Sequence, residues 1–360
     1  MKDLNKEFPI TSSYTYLNTP FTGVLSTYTQ KKIQELEEDY RQRGSLFSNQ
    51  YEDFIVKETK ELIAEVYTAN IEGIGILNNF STGLNLILND IPKSSKVVLL
   101  AQDYPSVNLP VKSRNFEVEE VDIDLNLYSN LRHIFKTEQP QFFIFSLTQF
   151  MSGFQMDLGV LTQLKNDFPS VYFIADATQY CGTEAFDFHN SPLDVFGTSG
   201  YKWLSAGFGN AFFLMKPSFL SSHDFKSIGS NSLIEKPSGK VRLTGFLEPG
   251  HFDILAVARL KLALEFHYKH IGIQLIESRI KQLSKFAKAK FLKLNLLDTS
   301  IIDTSSHQHI FSLKGEASDV QNLEKHSVLA SFRGGRIRVG FQYFNTEKDL
   351  NRLLEVLPSL

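Results

Sequence analysis

The chain has 360 residues, 42% hydrophobic and 21% charged, with 37 Lys+Arg against 40 Asp+Glu for a formal net charge of −3. This supports a sizeable core shared between two domains and argues against a dedicated nucleic-acid binder, which would carry a basic excess. One cysteine excludes an internal disulfide framework and any multi-cysteine zinc or iron–sulfur site, while the lack of a signal-like N-terminus or an apolar run of about 18 residues leads to the expectation of a cytoplasmic protein with no membrane contact.

Two helical patterns open the chain, at Thr27–Arg43 and Tyr51–Thr68. Next come Lys96–Ala101, Gln141–Leu147, Val171–Asp176, Asp194–Ser199 and Asn210–Met215, apolar almost throughout. Strands covered on both faces have this texture. Candidate helices at Ser106–Arg114, Tyr128–Thr137 and Gly159–Phe168 lie among them. Strands alternating with helices predict an α/β domain with a mostly parallel sheet and a ligand at the carboxyl ends of its strands. After Gly250 the texture changes to long helices, Phe252–His270 and Gln274–Leu292. Short strands at His309–Leu313 and Ile337–Phe341 and a last helix at Thr346–Leu357 follow. This divides the chain into a large domain at 15–250 and a smaller α+β domain at 251–360, with residues 1–14 packing on the smaller one. The 31 phenylalanines predict an aromatic core.

Several motifs carry little chemistry. Gly207-Phe208-Gly209 lacks the third glycine of a dinucleotide fingerprint and precedes a strand. His267/His270 and His307/His309 are only loosely spaced for metal and read as surface or packing side chains. The lysines from Lys281 to Lys293 read as a solvated helix face, and Cys181 as a buried thiol.

One pairing stands apart. The strand Val171-Tyr172-Phe173-Ile174-Ala175 ends on Asp176, followed by Ala177-Thr178-Gln179, and a later strand runs into Ser199-Gly200-Tyr201-Lys202-Trp203. A carboxylate at the end of a buried strand needs a partner, and a lysine at the end of a neighbouring strand supplies one. The pair is either a structural ion pair or the two ends of a pyridoxal phosphate site. In the second case the lysine forms the Schiff base and the aspartate keeps the pyridine nitrogen protonated.

Asp-Ala-Thr-Gln followed by Ser-Gly-Tyr-Lys resembles the signature of class V aminotransferases, fold-type-I pyridoxal phosphate enzymes that include cysteine desulfurases, selenocysteine lyases and kynureninases. The resemblance extends along nearly the whole chain. Tyr16-Leu17-Asn18-Thr19 is similar to the family's opening segment, and Asn79-Phe80-Ser81-Thr82-Gly83-Leu84-Asn85 to its phosphate-binding turn at a helix start. Asp103-Tyr104-Pro105-Ser106 resembles the ring-stacking loop, Leu247-Glu248-Pro249-Gly250 the dimer-interface motif, and Arg336-Ile337-Arg338-Val339 the carboxylate-binding strand.

The resemblance implies a three-layer αβα large domain, a smaller C-terminal domain, a homodimer, and a small amino acid as substrate. It implies that Lys202 and Asp176 are catalytic. Cofactor contacts would come from Ser81, Thr82, Tyr104, Gln149, Thr178, Gln179, Ser199 and Tyr201, with Asp176 and Lys202. Arg338, with Asn18, would bind the substrate carboxylate, a task suited to a planar guanidinium. Three positions depart from the desulfurase pattern. Lys314–Gly335 holds no cysteine, Tyr201 precedes the lysine where desulfurases carry histidine, and Gly250 is followed by His251 and not threonine. The expected activity is transamination. The alternatives are a lyase of the selenocysteine lyase, desulfurase or kynureninase type, or a cofactor-binding protein without turnover.

Overall fold

The computed structural model describes residues 4–231, 245–297 and 309–357; His307 lies outside them. A short strand, β1 (Thr15–Tyr16), comes first. Seven strands build the central sheet: β2 (Ile74–Leu77), β3 (Lys96–Leu100), β4 (Glu117–Val121), β5 (Phe142–Ser146), β6 (Tyr172–Asp176), β7 (Val195–Ser199) and β8 (Ala211–Met215). Their spatial order is β2-β8-β7-β6-β5-β3-β4. All neighbours are parallel except β8, which runs antiparallel to both β7 and β2.

Because side chains alternate along a strand, each apolar run feeds two cores at once. Val98, Leu100, Phe143, Phe145, Phe173 and Ala175 face the helices Ser45–Tyr67, Leu127–Glu138 and Leu158–Asp167. Val97, Leu99, Phe142, Ile144, Ile174 and Val195 face Phe80–Asn89 and Pro105–Lys112. The result is the expected three-layer αβα arrangement, with helices on both sides of the sheet. Aromatic residues fill much of it, as in the stacked pair Phe143–Phe145 at 4.2 Å.

The strands β9 (Ile310–Leu313), β10 (Val328–Leu329), β11 (Ser331–Arg333) and β12 (Arg336–Gly340) follow, and β9, β11 and β12 form a three-stranded sheet with β12 between β11 and β9. β1 pairs in parallel with β10, so the N-terminal segment is tied to the C-terminal part of the chain. Phe8 reinforces the tie, packing against Phe266, Tyr343 and Phe344. Helix Ile254–Leu264 lays Leu260, Ala263 and Leu264 against the first core. Among the described residues no helix is long and apolar enough to cross a membrane, and no cluster of His, Cys, Asp and Glu could hold a metal.

Some elements differ from the expectation for local reasons. β4 carries three glutamates and is mostly exposed, so no apolar run announces it; backbone pairing with β3 makes it a strand. The second long helix starts at Ser45, because Gly44 at φ 52° turns the chain directly between two helices. The long pattern after Gly250 is interrupted by a π-helical stretch, Glu265–Ile271, that ends at Gly272.

Within the fold, Glu248 is buried, and its Oε1 accepts from Ile76 N at 2.7 Å and pairs with Lys60 Nζ at 2.6 Å. Removing one partner of such a pair leaves a desolvated charge. Lys60→Met should therefore lower unfolding stability by about 3 kcal/mol, and adding Glu248→Gln should recover part of the loss. Urea denaturation of the two variants measures both effects.

Candidate active site

β6 and β7 are parallel neighbours, so their carboxyl ends open on one edge of the sheet. β6 ends on Asp176, and β7 ends on Ser199 and leads into the loop that carries Lys202. That loop is braced internally. Asn210 Nδ2 donates to Ala206 O at 3.0 Å, and Ala206 N to Gly200 O at 2.9 Å. From outside, Gly23 N donates to Tyr201 O at 2.8 Å. A Cβ on Gly23 would stand 1.8 Å from the Lys202 carbonyl oxygen, so only glycine permits this approach.

Asp176 and Lys202 are both buried. Burial raises the Asp176 carboxyl above its usual range, opposed by the Thr178 N–H that donates to Oδ1 at 2.8 Å and by the charge of Lys202. Burial pushes the Lys202 ammonium down to about 8; Asp176 opposes this, and Arg338 and Arg333 add to it. Lys202 Nζ lies 5.2 Å from the Tyr104 ring centroid and 5.6 Å from that of Tyr201. Tyr104, Asp176, Thr178, Gln179 and Lys202 line one narrow cavity with Thr148 and Phe150. This opens beside a larger cavity of about 650 Å³ bounded by Tyr104, Tyr201, Lys202, Arg338 and Arg333, with Phe21 and Phe208 at its rim.

Tyr104 is aimed by its neighbour. The buried Asp103 carboxylate accepts from Tyr104 N at 2.6 Å and from Ser146 N at 2.7 Å, which ties the loop to the end of β5. Burial pushes Asp103 up to about 6. Phe150 meets the Tyr104 ring edge-on at 5.1 Å. Tyr201 stacks on Phe208 at 5.3 Å.

On the other side of Asp176, a chain of hydrogen bonds leads to the start of helix Phe80–Asn89. Thr178 Oγ1 accepts from Ser199 N at 3.2 Å, and Ser199 Oγ accepts from Phe80 N at 2.9 Å. Asn79 caps the helix, accepting from Thr82 N at 2.8 Å and from the Thr82 hydroxyl at 3.1 Å. Ser81, half-buried, and Thr82, exposed, thus stand on the positive end of a helix within reach of the Ser199 hydroxyl's attachment point.

Gln179 is held on both sides. Its Nε2 donates to Pro20 O at 2.9 Å, its Oε1 accepts from Trp203 Nε1 at 2.8 Å, and its backbone carbonyl lies 2.7 Å from His309 Nε2. Burial holds His309 down to about 4, so it is neutral at pH 7. Arg338 reaches the site from β12. Its Nη1 donates to Phe150 O at 2.9 Å and its Nε to Ser331 Oγ at 3.2 Å, and the residue lines the larger cavity.

Two expected residues are placed differently. The Gln149 Oε1 accepts from Met151 N and Ser152 N, both at 2.7 Å, and its Nε2 donates to Gln102 O at 3.2 Å. It shapes its own turn and borders a second cavity of about 530 Å³, whose lining does not include Lys202. Asn18 lies off both cavities around Lys202, although the segment that follows it, Pro20–Thr22, forms a wall of the larger one; its Oδ1 is buried with no hydrogen-bond partner.

Thr148, Asp103, Asn79 and Gly23 also build the site, although the sequence motifs assign them no role. Thr148 Oγ1 is buried, has no partner and lines the narrow cavity. Asp103 had a local signal, an acidic residue directly before a Tyr-Pro helix start; Gly23 had none. Cys181 is buried in the core, 2.8 Å from the Tyr67 hydroxyl, and burial pushes its thiol up to about 12.

The model of the family "Aminotransferase class-V" matches residues 28–353. Among solved structures, a lysine-to-alanine mutant of C-DES with glycine covalently linked to its pyridoxal phosphate cofactor is 18% identical, with 98% of each chain covered and a TM-score of 0.87. The cysteine desulfurase of Thermococcus onnurineus NA1 is 19% identical over 99% of this chain and 96% of that one, at 0.85. Escherichia coli cysteine desulfurase CsdA is 15% identical over 97% and 95%, at 0.79. These likenesses carry the fold, that of fold-type-I pyridoxal phosphate enzymes. No curated protein sequence matches the chain.

The state of Cys181 has a direct readout. A protonated, enclosed thiol does not attack alkylating reagents. Iodoacetamide at neutral pH should leave Cys181 unmodified in the folded protein and label it fully in urea, as mass spectrometry would record; rapid labelling of the folded protein would contradict its burial.

Proposed function

Because the chain belongs to the class V aminotransferase family, we propose that it is a pyridoxal phosphate-dependent enzyme of a small amino acid, acting by transamination. The observation that carries this is Lys202: a buried amine lowered to about 8, in one narrow cavity with the Asp176 carboxylate, the Tyr104 ring and the unpartnered Thr148 hydroxyl. A buried polar atom without a partner marks a place for a polar ligand atom, and the set of donors fits the cofactor. Lys202 Nζ would attach it, Asp176 would face its ring nitrogen, and Tyr104 would cover one ring face. Ser81, Thr82 and Ser199, at the helix start, would hold its phosphate. Gln179 has one amide hydrogen left beyond its bond to Pro20 for the ring's oxygen substituent. Bound there, pyridoxal phosphate supplies an electron sink for the pair released when a bond at the substrate α-carbon breaks.

The chain's own residues do the rest. Arg338 Nη2 receives the α-carboxylate and orients the substrate. Lys202 Nζ, once displaced by substrate, takes the α-proton and returns it, for which an amine near pKa 8 is well matched at neutral pH. Asp176, whose Oδ1 accepts from the Thr178 N–H, would oppose the positive charge of a protonated ring nitrogen. The Cys181 thiol, enclosed and protonated, takes no part. The expected homodimer and cytoplasmic setting belong to the same proposal. Half-exposed Phe21 and exposed Phe208 at the mouth are surfaces a second copy would cover.

An amine adds to a carbonyl only in its uncharged form. The rate of cofactor attachment to apo-protein should thus rise with pH through about 8 and level off above it, whereas an unperturbed lysine would still be gaining at pH 10. Stopped-flow absorbance follows it. Borohydride treatment of loaded protein should leave a pyridoxyl group on Lys202, located by peptide mapping; a label on another lysine, or none, would overturn the proposal. Asp176→Asn should retain the fold and lose roughly 10²-fold or more in kcat. Keto acid with the cofactor left as its amine form supports transamination, and release of alanine with unchanged cofactor indicates the lyase.

A further inference from the structure

We infer that Arg333 is a second anion receptor of the active-site cavity, and that the substrate is accordingly an amino acid with an acidic side chain. The inference rests on the function proposed above and starts from strand register. In the antiparallel hairpin Ser331 lies opposite Arg338 and Arg333 opposite Arg336. Residues directly opposite, and residues two apart, point to one face of a sheet. Arg333, Arg336 and Arg338 therefore share a face, with Arg333 and Arg338 as diagonal neighbours about 7–8 Å apart.

The three guanidinium groups differ in what holds them. Arg336 is committed, donating through Nε and Nη2 to Ser312 O at 3.3 and 3.1 Å, and it borders the separate cavity. Arg338 is buried and anchored through Nε and Nη1, and it faces the Lys202 cavity. Arg333 stands at the junction, bordering both cavities. Among the described residues no carboxylate lies within ion-pair distance of it; its guanidinium sits 5.7 Å from the Phe21 ring centroid. The tight turn that carries it, with Gly334 at φ 57° and Gly335 at φ 75°, fixes its position relative to Arg338.

Charge then selects the ligand. Among the described residues the larger cavity is bounded by three cations, Lys202, Arg333 and Arg338, and by no carboxylate; Asp176 lies in the adjoining narrow part. The mutual repulsion is visible in the way Arg333 depresses both of the others. The α-carboxylate of any amino acid answers Arg338 alone. A second carboxylate on a short methylene chain would reach Arg333, and Phe21 and Phe150 offer the apolar wall for that chain. Because Arg333 keeps one side in water, it receives an anion without the desolvation loss of a fully buried charge.

Calorimetry on the full chain tests this without cofactor, using glutarate and butyrate as probes. Glutarate should bind about tenfold or more tighter than butyrate. Arg333→Gln should abolish that difference and leave butyrate binding unchanged, and Arg336→Gln should preserve it. In the loaded enzyme, Arg333→Gln should raise KM for glutamate and aspartate about tenfold more than it raises KM for alanine. Equal affinity for the two probes, or an equal loss in Arg336→Gln, would overturn the inference. A missing pyridoxyl label on Lys202 would overturn the proposed function while leaving the glutarate preference measurable. A label on Lys202 with no such preference would overturn this inference alone.

Discussion

A lysine amine held out of water at the end of a parallel sheet is the constraint around which the rest of this molecule is arranged. Burial disfavours the charged form of Lys202, and Asp176 at the end of the adjoining strand limits the penalty. The two must stay where the sheet puts them, because a charged group displaced into the aromatic core would have no partner. The loop around Lys202 is accordingly closed by its own hydrogen bonds through Gly200, Ala206 and Asn210. It is also pressed from outside by Gly23, whose lack of a side chain allows backbone to meet backbone.

The supporting shell uses neutral groups where a further charge would disturb this balance. His309 is held neutral by burial and fixes the Gln179 backbone; Trp203 and Pro20 fix its amide. Asp103 is the exception, a buried carboxylate close to Asp176. It is stabilised by the Tyr104 and Ser146 N–H groups and weakened as an acid by burial. Its job is positional, since the same bonds join the loop bearing Tyr104 to the end of β5.

The cation-rich mouth is assembled from distant parts of the chain. β12 brings Arg338 beside Phe150, and the pairing of β1 with β10 carries residues Pro20–Thr22 over Lys202. Gly340 completes the junction, donating its N–H to Leu17 O at 2.8 Å where a Cβ would strike Pro20. The N-terminal segment, the sheet edge and the C-terminal hairpin thus define one site, with helices of the αβα layers behind it as a rigid support.

The sequence by itself determined the buried strands, because a strand covered on both faces must be apolar at every position. It also placed Asp176 and Lys202 at strand ends, where a charge following an apolar run has one location open to it. The long amphipathic helices were legible for the same reason of periodicity. Strands β2, β4 and β11 were not, since short or polar edge strands exist only through the backbone bonds of a neighbour. Tertiary structure alone decided that Gln149 turns into its own loop while Thr148 faces the cavity, because adjacent residues on a turn compete for one direction and local bonds settle it. It alone decided that Gly23 meets Lys202 and that three arginines share a face, one beside Lys202, one on a backbone carbonyl and one between two cavities. Those are facts of register and long-range packing, and residue type carries no record of them.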